Sequence, residues 1–138
     1  MKNKCLAILL LVIAVFQVFM LPAVAAQPVE MHPYYTGVST IATDLSIENS
    51  SLGLSKNRVV IIMRSGYTAE VSMTLKQISS NGVSEVKSWN DSLDGTGEIV
   101  HYYYIPSGYN YTLIVSIDVY DTNGDFVETI ATNDSEKY

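Results

Sequence analysis

Apolar and polar side chains alternate along most of the chain from about residue 38 onward. A period of two residues is typical of β-strands that have one buried and one exposed face. The clearest examples are residues 69–76 and 109–119, in which every second side chain is apolar or aromatic. Together with runs of weaker alternation, the pattern predicts seven strands, at residues 41–47, 58–63, 69–76, 83–89, 98–105, 109–119 and 126–130.

The strand predicted at residues 58–63 does not alternate. It contains an unbroken apolar run from Val59 to Met63. A strand with one wet face alternates, whereas a strand covered on both faces reads as a continuous apolar run. The run therefore predicts either burial on both faces or a central position in a sheet.

Short turn signals separate the predicted strands. Asn81-Gly82 and Asn123-Gly124 are dipeptides that tolerate the positive φ angles of tight hairpins. Seven short strands separated by such turns predict an all-β domain over residues 38–138, folded as a two-sheet sandwich. A small β-barrel is the alternative, because alternation and strand spacing do not distinguish a closed barrel from a two-sheet sandwich.

Residues 1–26 have the layout of a secretory signal peptide. A basic start precedes an apolar stretch at residues 6–21, and small residues follow it. We expect cleavage after Ala26, which leaves residues 27–37 as an extended lead-in. An uncleaved membrane anchor is the alternative, but Gln17 interrupts the apolar run. The layout thus predicts a secreted, extracellular protein with no membrane segment once the leader is removed.

Removal of the leader changes the thiol content and the charge of the chain. Cys5 is the only cysteine, so the expected mature domain is disulfide-free and has no thiolate site. Loss of Lys2 and Lys4 leaves six basic residues against 14 acidic ones, a formal charge of −8. Because phosphate backbones attract clustered Lys and Arg, we expect no binding to nucleic acid.

Two aromatic residues are candidates for structural roles. Residues 106–111 resemble the corner before the penultimate strand of immunoglobulin-like domains, where a tyrosine hydroxyl bonds back to nearby backbone. Tyr111 is the candidate for that tyrosine, and Trp89 is expected to cover the core as a sandwich tryptophan does. The resemblance implies a single immunoglobulin-like β-sandwich of about seven strands.

Five stretches together resemble a family of short exported proteins of Gram-positive bacteria. They are residues 34–41, 45–47, 66–68, 107–111 and 121–129. The shared residues are turn and core residues that carry no chemistry. The resemblance implies a small bacterial extracellular domain, and it implies no activity.

The sequence offers little for catalysis or metal binding. His32 and His101 are the two histidines, and no nucleophile elbow accompanies the serines, so we expect neither an enzyme nor a cofactor. Asp121, Asn123 and Asp125 place oxygen side chains at alternate positions, as a calcium loop does. The glycine and glutamate positions of an EF-hand are wrong, however, which favours an ordinary hairpin turn.

Exposed tyrosines are the remaining candidates for ligand binding. Consecutive strand residues point to opposite faces, so Tyr102 and Tyr104 are expected to face outward, and Tyr120 to lie on another outer face. Tyrosine presents a flat apolar ring with a polar tip, which suits protein partners and sugar rings alike. Cross-strand aromatic pairing that only stabilises the sheet is the alternative.

These observations predict a non-catalytic extracellular or surface-associated module. Its partner is expected to be a protein, or a second copy paired through sheet edges. The alternative is a carbohydrate or cell-wall binding module that uses the exposed tyrosines, and an enzyme is the least supported class.

Overall fold

The computed structural model describes residues 34–138. The predicted leader, 1–26, and most of the predicted lead-in, 27–37, lie outside the described residues. Residues 34–138 contain seven β-strands and no helix. The strands are β1 Val38–Asn49, β2 Leu54–Met63, β3 Thr68–Ser79, β4 Gly82–Leu93, β5 Gly97–Tyr104, β6 Asn110–Tyr120 and β7 Phe126–Lys137. Within this part of the chain there is accordingly no helix able to cross a membrane.

The strands form two antiparallel sheets. One has the order β1-β2-β5 and the other the order β4-β3-β6-β7. The sheets are not closed into a barrel, so the prediction of a β-sandwich is confirmed and the barrel alternative is wrong. The constant-type immunoglobulin arrangement puts its fourth strand in the sheet of strands one, two and five. Here a two-residue connection, residues 80–81, keeps β4 beside β3 instead.

All seven predicted strands are present, but several are longer than the alternation indicated. β7 extends to Lys137 rather than to residue 130, and β4 extends to Leu93. Both are edge strands, whose inward positions are only partly covered. Polar residues such as Asp91 and Asp134 occupy these positions, so apolar alternation stops before the hydrogen-bonded ladder does.

The core lies between the two sheets and is supplied mainly by their central strands. Inward side chains of β3 and β6 are buried at every second position. They are Ala69, Val71, Met73 and Leu75 from β3, and Tyr111, Leu113, Val115, Ile117 and Val119 from β6. β2 faces them with Val59, Ile61 and Met63. Burial of this apolar surface is the main force that holds the sheets together.

Only one of the two explanations predicted for the apolar run of β2 is correct. β2 is the central strand of its sheet, as expected. Burial on both faces is wrong, because Val60 is only half-buried and Ile62 is 44% exposed. The outward side of a three-stranded sheet is open to solvent, so burial alternates along β2 even though hydropathy does not.

Side chains of β7 close the sandwich along its β1 edge. The backbone N–H of Leu45 donates to Oδ2 of Asp134 at 2.8 Å, and that of Gly37 donates to Oε1 of Glu128 at 2.9 Å. Thr43 and Thr132 share a hydroxyl–hydroxyl bond of 3.3 Å between the same strands. Carboxylates thus occupy backbone donors that an incoming strand would need, which protects this edge against pairing with another chain.

Tyr111 connects the start of β6 to the preceding turn. Its ring is fully buried, and its hydroxyl donates to the carbonyl oxygen of Pro106 at 2.6 Å. Burial raises the pKa of the Tyr111 hydroxyl, so it stays protonated and keeps donating. This geometry is that of the tyrosine corner of immunoglobulin-like sandwiches.

We expect Tyr111→Phe to destabilise the domain by about 1 kcal/mol, because it removes this hydrogen bond and leaves the core ring in place. Urea unfolding monitored by circular dichroism measures the effect. Tyr109→Phe is the matched control, since Tyr109 packs edge-on against Tyr111 with ring centroids 6.5 Å apart and loses a hydroxyl of the same kind. Equal costs for the two variants would contradict a role for the Pro106 bond.

Candidate functional site

Tyr102 and Tyr104 lie on the outer face of the three-stranded sheet. They belong to β5, an edge strand, and are 55% and 64% exposed. In the ladder Tyr102 is opposite Lys56 and Tyr104 is opposite Leu54 of β2. Alternate residues of one strand are about 7 Å apart, so the two rings stand side by side.

The parity of β5 explains why these tyrosines point outward. Ile99 is buried and Tyr103 packs against the core, so the inward positions are the odd-numbered ones. The even-numbered residues must then face solvent. A β-branched residue, Val100, precedes the two tyrosines on the same outer face and is half-buried.

Ion pairs and one further apolar side chain surround the tyrosines. Lys56 pairs with Glu48 at 3.6 Å, and Arg58 pairs with Glu98 at 2.5 Å. The hydrogen bond to Arg58 lowers the pKa of the Glu98 carboxyl, which therefore stays ionised. Leu52, in the β1–β2 turn, is 61% exposed. We call the outward surface of β2 and β5 that contains Lys56, Arg58, Tyr102 and Tyr104 the tyrosine face.

The turn that carries Leu52 is held against the end of β5. Gly53 accepts a 2.8 Å hydrogen bond from the backbone N–H of Ile105. Gly53 has a φ of 70°, and a Cβ there would lie 2.1 Å from the carbonyl oxygen of Ile105. Only glycine allows this approach. The contact fixes the turn against the end of β5, one residue after Tyr104.

His101, Asp91 and Trp89 form a polar cluster where β4 and β5 face each other at the open side of the sandwich. Nε2 of His101 is 2.7 Å from Oδ2 of Asp91. The Trp89 ring stacks on His101 with centroids 5.0 Å apart, and Tyr103 packs edge-on against Trp89 at 6.3 Å. Trp89 is half-buried and packs against the core. The cluster connects the two sheets where apolar cover is incomplete.

Two buried polar side chains lie next to this cluster on β2. Ser55 donates to the carbonyl oxygen of Tyr103, and Nδ2 of Asn57 donates to Ser55 and to the carbonyl oxygen of His101. Oδ1 of Asn57 is buried without a partner. The Ser55 hydroxyl is thus engaged by backbone, and His101 is engaged by Asp91. These hydrogen bonds connect β2 to the backbone of β5 beside the His101–Asp91 pair.

Tyr120 lies on the other outer face. It belongs to β6, and its hydroxyl donates to Oε2 of Glu70 at 3.4 Å. Its ring packs edge-on against Phe126, with centroids 6.0 Å apart. Tyr120 is therefore separated by the thickness of the sandwich from Tyr102 and Tyr104, and the three tyrosines do not form one site.

The candidate calcium ligands are part of the β6–β7 turn. Oδ1 of Asp121 accepts backbone N–H groups of Asn123 at 2.8 Å and of Asp125 at 3.1 Å. These bonds lower the pKa of the Asp121 carboxyl. Over residues 34–138 there is no group of three or more His, Cys, Asp or Glu residues placed to hold a metal ion. The Asp121 carboxylate therefore has a clear role in the turn.

Sequence reasoning missed the pairing of His101 with Asp91. The two residues are ten positions apart and belong to different sheets, so no local spacing indicates the contact. The available signal was that both are polar residues at inward positions of their strands. These inward polar positions indicate a contact only when β4 and β5 are known to be edge strands that face each other across the sandwich.

His101→Ala should destabilise the domain by about 1 to 2 kcal/mol, because it removes the Asp91 bond and the ring stacked on Trp89. Trp89 is the only tryptophan, so its emission should also move to longer wavelength as water reaches the ring. His101→Phe keeps a stacked ring and should leave the emission unchanged. Unaltered stability and emission in the alanine variant would contradict this role.

Asp121→Asn should lose stability relative to wild type at neutral pH but not in strong acid. The folded-state pKa of Asp121 is lowered from its ordinary value of 3.8, so the ionised carboxylate stabilises the fold above that pH. The extra stability of wild type over the variant is lost as the pH falls through the lowered pKa of Asp121. Urea midpoints of both proteins at neutral and acid pH measure it. An advantage that grows on acidification would contradict the assignment.

No known protein family matches the chain, and a search of curated proteins finds no match.

Proposed function

We propose that this chain is a non-catalytic, secreted binding module that docks a protein partner at the bacterial cell surface through its tyrosine face. The observation that carries the proposal is the exposure of Tyr102 and Tyr104 side by side on one sheet face. Neighbouring exposed apolar side chains that form one patch commonly mark a surface that a partner covers.

The composition of the tyrosine face favours a protein partner. Tyr102 and Tyr104 supply exposed aromatic area, and the Arg58–Glu98 pair lies on the same sheet face. An aromatic centre with a polar rim is the usual anatomy of a protein interface. Tyrosine is also enriched among the residues that dominate binding energy, because it buries a large ring at little cost in side-chain entropy.

A non-catalytic role is supported by how the reactive side chains are used. His101 is paired with Asp91 and covered by Trp89, and the hydroxyl of Ser55 donates to backbone. A general base needs a nucleophile or substrate proton within hydrogen-bond reach. Nε2 of His101 and the hydroxyl of Ser55 already have hydrogen-bond partners within the domain, and those partners are not placed to exchange a proton with each other.

A cell-surface glycan is the second candidate for the same face. The observation that favours it is the pair of neighbouring exposed rings, since flat aromatic faces also stack on sugar rings. The acidic charge of the chain supports neither nucleic acid nor an anionic membrane as a partner.

Binding of the full chain, expressed for export, to intact Gram-positive cells tests the proposal. The double variant Tyr102→Ala, Tyr104→Ala should bind about tenfold or more weakly, because truncation of interface tyrosines removes their buried area. Tyr34→Ala is the matched control, since Tyr34 is fully exposed in the segment before β1. Its binding should equal that of wild type.

Protease treatment of the cells separates the two candidate partners. Loss of wild-type binding after treatment indicates a protein, and retention on protease-treated, purified wall polysaccharide indicates the glycan. Wild-type binding that the double variant retains in full would overturn the assignment of the tyrosine face.

A further inference from the structure

The outer face of the four-stranded sheet carries a groove. Two adjoining depressions, of about 390 and 410 Å³, lie along β3 and share Glu70 and Ser92 in their linings. Side chains from β3, β4 and β6 line them, including Glu70, Ser72, Asn90, Ser92, Asp118 and Tyr120. Each depression is in the size range of small-ligand sites. We call the pair the Glu70 groove.

The lining combines an aromatic wall with polar side chains that can both donate and accept. Tyr120 is the aromatic residue of the lining, and its ring is held edge-on against Phe126, which lies outside the lining. Ser72 donates to Oδ1 of Asn90 at 2.8 Å, so the amide NH₂ of Asn90 can still donate and the Ser72 oxygen can still accept. A ligand rich in hydroxyl groups matches a lining of this kind, because each hydroxyl donates and accepts.

Glu70 and Asp118 add negative charge to the floor of the groove. They are directly opposite each other in the β3–β6 ladder. Among residues 34–138 neither carboxylate has a basic side chain within ion-pair distance. Like charges placed opposite each other destabilise a sheet, and a ligand that brings a cation would relieve the repulsion.

Hydrogen bonds hold both carboxylates in place without neutralising them. The hydroxyl of Tyr120 donates to Glu70, and that of Thr129 donates to Oδ1 of Asp118 at 2.6 Å. Burial and these two negative charges raise the pKa of Tyr120, which is consistent with a negative potential at the aromatic wall. An ammonium group there would meet two carboxylates and the ring of Tyr120.

We propose that the Glu70 groove binds a chain of amino sugars with free, protonated amines. The hydroxyls of the sugar match the Ser, Thr and Asn side chains of the lining, its amines match Glu70 and Asp118, and its ring face matches Tyr120. A metal ion fits less well, because no third carboxylate or histidine is placed to complete a metal site in the described part of the chain. A lysine-rich peptide would satisfy the charges but would leave the polar lining unused.

This site is separate from the proposed function. The Glu70 groove and the tyrosine face lie on opposite outer faces of the sandwich. Variants of one surface should therefore leave binding at the other unchanged, so the two proposals can fail independently.

Calorimetric titration of the full chain with a β-linked glucosamine tetrasaccharide tests the inference, with its N-acetylated counterpart as the matched ligand. The free-amine sugar should bind at least about tenfold more tightly, and its affinity should fall as salt rises. Glu70→Gln with Asp118→Asn should weaken it by about tenfold or more, because both side chains keep their shape and lose only their charge.

Glu85→Gln with Glu136→Gln is the control for net charge, since both residues are exposed and lie outside the groove lining. It should bind as wild type does, as should the Tyr102, Tyr104 double alanine variant. Thermal unfolding of each variant verifies folding. Equal binding of both tetrasaccharides, no binding of either, or full affinity in the Glu70, Asp118 variant would overturn the proposal. Tighter binding of a lysine tetrapeptide than of the glucosamine tetrasaccharide would overturn the sugar as ligand.

Discussion

Burial of one face of each sheet against the other is the constraint on which the rest of this structure depends. Residues 34–138 contain no cysteine, so no disulfide supplements the core. The inward side chains of β2, β3 and β6 provide most of the buried apolar surface. Because the period of a strand is two, this burial also decides which side chains face outward. Tyr102, Tyr104, Glu70 and Asp118 are presented to solvent for the same reason that Val71 and Ile117 are hidden.

The same constraint explains where the polar side chains inside the sandwich occur. Central strands are covered on their inner faces, whereas the inner faces of edge strands are open at the side. At the β1–β7 side, Asp134 and Glu128 accept backbone N–H groups across the gap. At the β4–β5 side, Asp91 bonds to His101, and the ring of Trp89 stacks on the ring of His101. Polar contacts between the sheets thus replace apolar packing where water can enter, and they cost little desolvation there.

The sequence predicted the strands well, because alternation reports directly on burial. The predictions from sequence are wrong at positions where the hydropathy of a side chain does not match its burial. The apolar run of β2 places Val60 and Ile62 on a wet face, which composition cannot distinguish from a covered one. The ends of β4 and β7 were missed because polar side chains are tolerated at half-covered inward positions. The groove and the His101–Asp91 pair depend on which strands are neighbours, and pattern within a strand carries no information on sheet order.

The two outer faces of the sandwich differ in a way that sheet stability alone does not require. On the tyrosine face Lys56 and Arg58 are each paired to a glutamate, and aromatic rings are exposed. On the opposite face two carboxylates oppose each other without a counter-ion among the described residues, beside a groove with hydroxyl and amide side chains. Exchange of a few outward side chains would remove both features without disturbing the core, since outward positions contribute little to its burial. The proposed protein partner depends on the exposed rings of one face, and the proposed amino-sugar ligand depends on the opposed carboxylates of the other.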